Sequence, residues 1–100
     1  MDRENAESVA VAALGFIAAD PELLRRFLAI TGIDASMIRR AASEPGFLAG
    51  VLGFVLAHEP TLLSFAEQAD IPPQKVGEAL RKLPGGDGRY FADWVTDLVA

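Results

Sequence analysis

Two stretches of this chain, residues 9–19 (VAVAALGFIAA) and 47–57 (FLAGVLGFVLA), carry no charge and no hydrogen-bonding side chain. Leu14-Gly15-Phe16 in the first lines up with Leu52-Gly53-Phe54 in the second at an offset of 38 residues, with Ile17 opposite Val55 and Ala19 opposite Ala57. Both are too apolar for a helix lying on the surface and too short to cross a bilayer, which takes about 20 apolar residues. The pattern predicts two buried central helices with the remaining chain wrapped around them. Each run has a glycine near its middle, although glycine inside a helix costs about 1 kcal/mol relative to alanine. Its repetition at Gly15 and Gly53 predicts that the two helices cross there, with backbones too close to admit a Cβ.

Periodicity and punctuation place the other elements. After a polar lead-in over residues 1–5, the first helix is expected from about Ala6 to Ala19. Asp20-Pro21 opens a second, since aspartate accepts from free backbone N–H groups at the N-cap and proline loses nothing in the first turn. Leu23, Leu24, Phe27, Leu28 and Ile30 form its apolar side, and Arg25 and Arg26 face water. Gly32 fits the left-handed residue after a helix, with Ile33 placed to pack on Leu28 as in a Schellman ending. Asp34 caps a short third helix from Ala35 to Ala42, with Met37, Ile38 and Ala41 inward, Arg39 and Arg40 outward, and Ile33 and Ile38 at the spacing of a hydrophobic staple. Glu44-Pro45 starts the fourth helix, Glu59-Pro60 the fifth and Pro72-Pro73 the sixth, which Pro84-Gly85-Gly86 stops.

Phe27 matches Phe65, Ile33 matches Ile71 and Ile38 matches Val76 at the same offset of 38 residues. Residues 9–41 and 47–79 therefore read as two copies of one three-helix unit. Two copies are too few for a solenoid, which needs three or more. The predicted fold is all-α: a compact orthogonal bundle of six to seven helices, built from two pseudo-repeated three-helix units over residues 1–83. Residues 84–88 form a glycine-rich hinge, and 89–100 a C-terminal amphipathic helix with Phe91, Trp94, Val95 and Leu98 on one face. That last helix either docks on the bundle, swaps between two chains or stays free.

Composition narrows the function. With 51 % apolar residues the chain can build a core and is not a disordered segment. A net charge of −5 repels phosphate and anionic lipid unless the basic groups gather on one face. There is no cysteine, hence no disulfide and no thiolate ligand. The first residues lack the basic region of a signal peptide, and the expected compartment is the cytoplasm.

No constellation suggests catalysis. His58 is the only histidine and stands where Asp20 stands in the first unit, a polar residue at a helix start. A metal site needs two or three further ligands. A catalytic triad would have to join His58 to Ser8, Ser36, Ser43 or Ser64, none of them in a strand-turn-helix elbow. Glu22, Glu44, Glu59 and Glu67 sit at helix starts or on exposed faces, where they favour the helix dipole. The sequence predicts no enzyme, no cofactor and no metal.

Residues 27–42 look like a helix-turn-helix, with Gly32 at the turn and Arg39 and Arg40 placed to contact DNA. Against this stand Leu28 where tight packing wants alanine, the shortness of the reading helix and the acidic chain. The preferred partner is another protein. Tyr90, Phe91, Trp94 and Leu98 are the candidate contacts, on the segment that holds the only tryptophan and the only tyrosine. A homodimer through this helix is the second form of the same expectation. Attachment to a membrane is not expected, because Asp93 and Asp97 lie where a membrane-surface helix carries Lys or Arg.

Four segments carry a family resemblance: residues 13–18 (ALGFIA), 20–24 (DPELL), 26–34 (RFLAITGID) and 44–48 (EPGFL). From Ala6 to about Leu83 the chain resembles a family of short bacterial proteins, mostly alphaproteobacterial, grouped as domain of unknown function 3572. The resemblance implies a small helical protein and brings no activity, cofactor or site residue. Residues 84–100 lie beyond the shared part, and His58 departs from the acidic residue expected before Glu59.

Overall fold

Helix capping sets the order of elements in the computed structural model, which describes residues 2–43 and 46–84. Helix α1, Arg3–Ala19, begins earlier than its apolar periodicity suggests, because the Asp2 carboxylate accepts the Asn5 N–H at 2.8 Å and satisfies a free helix-end donor. Asp20 then serves two helices. Its N–H donates to the Ile17 carbonyl at the end of α1, and its Oδ1 accepts from the N–H groups of Glu22 and Leu23 at 3.0 and 3.3 Å. Helix α2, Pro21–Thr31, follows with proline in its first turn.

The two left-handed helix ends solve one problem differently. At Gly32 (φ 73°) the glycine N–H donates to the Leu28 carbonyl at 2.8 Å. The N–H of Ile33 goes not to that carbonyl but to the Thr31 hydroxyl at 3.3 Å, so the Schellman pairing expected here is replaced by the simpler left-handed cap. Thr31 Oγ1 in turn donates to the Phe27 carbonyl at 2.9 Å, which accounts for a buried threonine. The full Schellman pairing closes α5, Glu59–Ala69, through a residue that is not glycine: Asp70 at φ 57°. Asp70 N–H donates to Glu67 and Ile71 N–H to Ala66, at 3.2 and 2.9 Å.

The third helix is shorter than its sequence reading. A 3-10 turn, Ala35–Met37, with Asp34 Oδ1 accepting from Ser36 N–H, precedes α3, Ile38–Ala41, which is a single turn. Helix α4, Phe47–Leu56, starts after Gly46, whereas Glu44 and Pro45, the expected start, lie outside the described residues. A bend of 110° separates α4 from α5. Helix α6, Pro73–Lys82, closes the order. Every regular element among the described residues is helical, so the fold is all-α.

α1 packs most extensively against α6, then against α4 and α2. Its contribution is the stripe Ala6, Ala10, Ala13 and Ile17, all fully buried; three alanines let neighbouring helices approach closely. α6 answers with Val76 and Ala79, followed by the buried Leu83. Phe27 lies edge-on to both Phe47 and Phe54, with ring centroids 6.0 and 5.4 Å apart. Burying each such side chain contributes on the order of 1.5–3 kcal/mol.

Two expectations about the apolar runs need correcting. α4 is buried along Phe47, Ala49, Gly50, Val51, Leu52 and Val55, but α1 is not buried all round: Val11 is 58 % exposed, and Ala12, Gly15, Ala18 and Ala19 also face outward. Nor do the helices cross at their glycines. A Cβ on Gly15 or Gly53 would meet nothing within 4 Å, so neither glycine is held by a close approach. Among the described residues no single helix is long and apolar enough to cross a membrane.

Candidate functional site

The outward side of α1 faces a groove. Ala12, Gly15, Phe16 and Ala19 from α1 and Phe65 and Ala69 from α5 line a volume of ≈ 310 Å³. Its floor is the ring pair Phe16–Phe65, centroids 5.5 Å apart and tilted by 57°. The walls are low because three α1 positions carry one carbon or none beyond the backbone. Gln68 is the polar residue at the rim. Between Glu7 and Asp20 α1 has no charged side chain, so nothing holds water along this face by ion hydration. α1 and α5 touch much less than α1 and α6 do, which leaves the furrow between them open.

Phe16 also borders a second recess of ≈ 270 Å³, which continues the groove toward the α1–α2 corner and is polar. Asp20, Glu22 and Arg26 line it from one side and His58, Thr61 and Ser64 from the other. His58 does stand at the N-cap of α5, yet its ring does not cap the backbone. Its Nδ1 is instead 2.8 Å from Thr61 Oγ1, a hydroxyl that is itself buried. Arg26, expected to face water, is half-buried here. His58 and Ser64 thus share a recess, but the ring is engaged by Thr61 and the Asp20 carboxylate by backbone N–H groups. No nucleophile–base–acid relay is assembled. No group of three or more His, Cys, Asp or Glu placed to hold a metal ion occurs among the described residues.

The other predicted residues fall apart from this furrow. Arg39 and Arg40 are exposed on α3. One turn of helix after a 3-10 turn offers little length to lay along a major groove. Tyr90, Phe91, Trp94 and Leu98 lie outside the described residues, as do all but Pro84 of the hinge expected over residues 84–88. What the sequence reading missed is the groove itself. Its signal was present: Ala12, Gly15 and Ala19 recur at helical spacing on the side of α1 opposite Ala6, Ala10, Ala13 and Ile17.

Comparison with known proteins adds a family and little else. A family model described as "Protein of unknown function (DUF3572)" matches residues 3–86. No curated protein and no solved structure matches the chain.

Proposed function

We propose that this chain, which belongs to the DUF3572 family of proteins of unknown function, is a non-enzymatic module that binds another protein by taking an apolar helical segment into the α1/α5 groove. One observation carries the reading: α1 is charge-free over residues 8–19, yet the described residues leave one side of it uncovered. A helix apolar all round belongs in an interior. A helix laid in a groove supplies that interior from outside, with anchors at i, i+3, i+4 and i+7. Small side chains at Ala12, Gly15 and Ala19 suit large anchors on the incoming segment.

A photoreactive amino acid placed at Ala12 or Ala19 of the full chain, in the cells that make it, tests this. The expected result is a discrete adduct with another protein from both positions, none from Arg25 on exposed α2, and loss of the adduct in Gly15→Lys. Equal labelling from all three positions, or no adduct, would overturn the reading. The alternative, a DNA-binding helix-turn-helix over residues 27–42, draws on the exposure of Arg39 and Arg40. It requires an affinity that falls linearly with the logarithm of salt concentration, and absence of binding at low salt ends it.

A further inference from the structure

We infer that the protein taken into the α1/α5 groove is a second copy of this chain, and that the helix it lays there is α1 itself, antiparallel across a two-fold axis. The inference rests on reading that groove as a docking site and adds which molecule fills it. The outward side of α1 carries both a knob and a hole. Val11, 58 % exposed, is its exposed large apolar side chain. Gly15, exposed as well, has nothing within 4 Å of its Cβ position and lines the groove with Ala12, Phe16 and Ala19. At about 100° per residue, Val11 projects about 40° to one side of Gly15, whereas Ala12, Ala19 and Phe16 project about 40–100° to the other. A two-fold axis perpendicular to α1, midway between Val11 and Gly15, reverses both the side and the direction along the helix. It sets each Val11 against the Gly15 of the other copy, at the edge of the groove. The contact is isologous, so the same fit is made twice.

Charge favours this occupant. A chain with net charge −5 meets its own copy only across a face whose carboxylates are absent or compensated. α1 has no carboxylate between Glu7 and Asp20. Glu7 is held by Arg3 of its own chain at 3.4 Å, and the Asp20 carboxylate by two backbone N–H groups. Glu4 is different: it is exposed on the same outward side, seven residues before Val11, and has no ion pair among the described residues. The two-fold axis carries Glu4 to a level about 13 Å beyond the axis on the other copy, past the end of α1 and into the polar recess at the α1–α2 corner. There Arg26 is half-buried and likewise without an ion pair. Glu22 borders the recess too, but no ion pair joins it to Arg26, so the guanidinium can turn to the partner's Glu4. Two such pairs, one at each end of the interface, fix its register.

Sedimentation equilibrium of the full chain across the micromolar to millimolar range tests this. The expected result is a reversible monomer–dimer equilibrium that Gly15→Lys abolishes. That variant should fold, because Gly15 is exposed, has nothing within 4 Å of its Cβ position, and lysine is the better helix former. A thermal melt of each variant checks it. Glu4→Arg and Arg26→Glu should each weaken association several-fold, and the two together in one chain should restore it, because opposite charges meet again across the axis. A loss of fold does not produce that recovery. Leu63→Lys, at an exposed apolar residue of α5 outside the groove, should leave the equilibrium unchanged. Three outcomes would overturn the inference: a monomer at every concentration, a dimer that Gly15→Lys leaves intact, or no recovery in the doubly substituted chain. A monomer whose positions 12 and 19 still form adducts with a different protein would remove this inference and leave the groove reading standing. A monomer without adducts would remove both. Adducts from those positions with the mass of two chains would support both.

Discussion

α1 and α4 both carry a charge-free apolar run with a glycine at the aligned position, and the fold treats them differently. α4 buries six of its ten residues, Leu52 and Val55 completely. α1 buries four of seventeen, in a single stripe, and turns Val11, Ala12, Gly15 and Ala18 outward. The cause lies in their neighbours. α4 sits among α1, α5 and α6 with the ring of Phe27 against it, whereas α1 has α6, α4 and α2 on one side and only a loose approach from α5. An apolar run states that a helix can be covered on every side. It does not state that its own domain covers it.

Substitutions can break or sharpen this contrast, and the largest effects should come from the buried helix. Leu52→Ala should cost about 2–5 kcal/mol in a denaturant melt, and the aligned but half-buried Leu14→Ala clearly less; equal losses would mean that α1 is as enclosed as α4. Next come the two helix ends. Thr31→Val removes the hydroxyl that accepts the Ile33 N–H and should destabilise by about 1–3 kcal/mol. An unchanged midpoint would show that Ile33 finds another acceptor. The glycines should give smaller effects of opposite sign. Gly53→Ala should stabilise by about 0.5–1 kcal/mol, the usual gain inside a helix. Gly15→Ala should gain about as much, since neither glycine has a neighbour within 4 Å of its Cβ position, and a clearly smaller gain would mean that the outward side of α1 is covered. Smallest of all, Val11→Ser should change stability by no more than about 0.5 kcal/mol, as for an ordinary surface site.

What was legible in the sequence was mostly local. Asp20 at the α1–α2 corner and Gly32 at the end of α2 work through hydrogen bonds a few residues away, and Pro21 and Pro73 through their fixed φ in a first turn that needs no N–H; all stand where their residue types place them. Asp2 is of the same kind: an acid three residues before Asn5 is a cap signal, outweighed in the reading by the absence of apolar residues before Ala6. Asp70 was harder, because only the tertiary path of the chain forces a non-glycine residue into the left-handed region. The surroundings of Gly15 were legible only in part: the spacing of Ala12, Gly15 and Ala19 marks a side of small residues, but not whether that side is packed or open. A glycine tolerated for close packing and a glycine lying at an open groove look identical in one sequence; the difference is set by helices that arrive some fifty residues later.

That separation has a consequence for how the molecule is made. The most extensive packing partner of α1 is α6, the last helix of the described fold. At about 5–20 residues per second, the stretch between Ala19 and Pro73 takes roughly 3–11 s to synthesise. Throughout that time the nascent chain carries α1 without the element that seals its alanine stripe. α1 precedes every other helix of the described fold and waits for the last of them to complete its packing, which makes it a segment on which a nascent-chain chaperone would find long purchase.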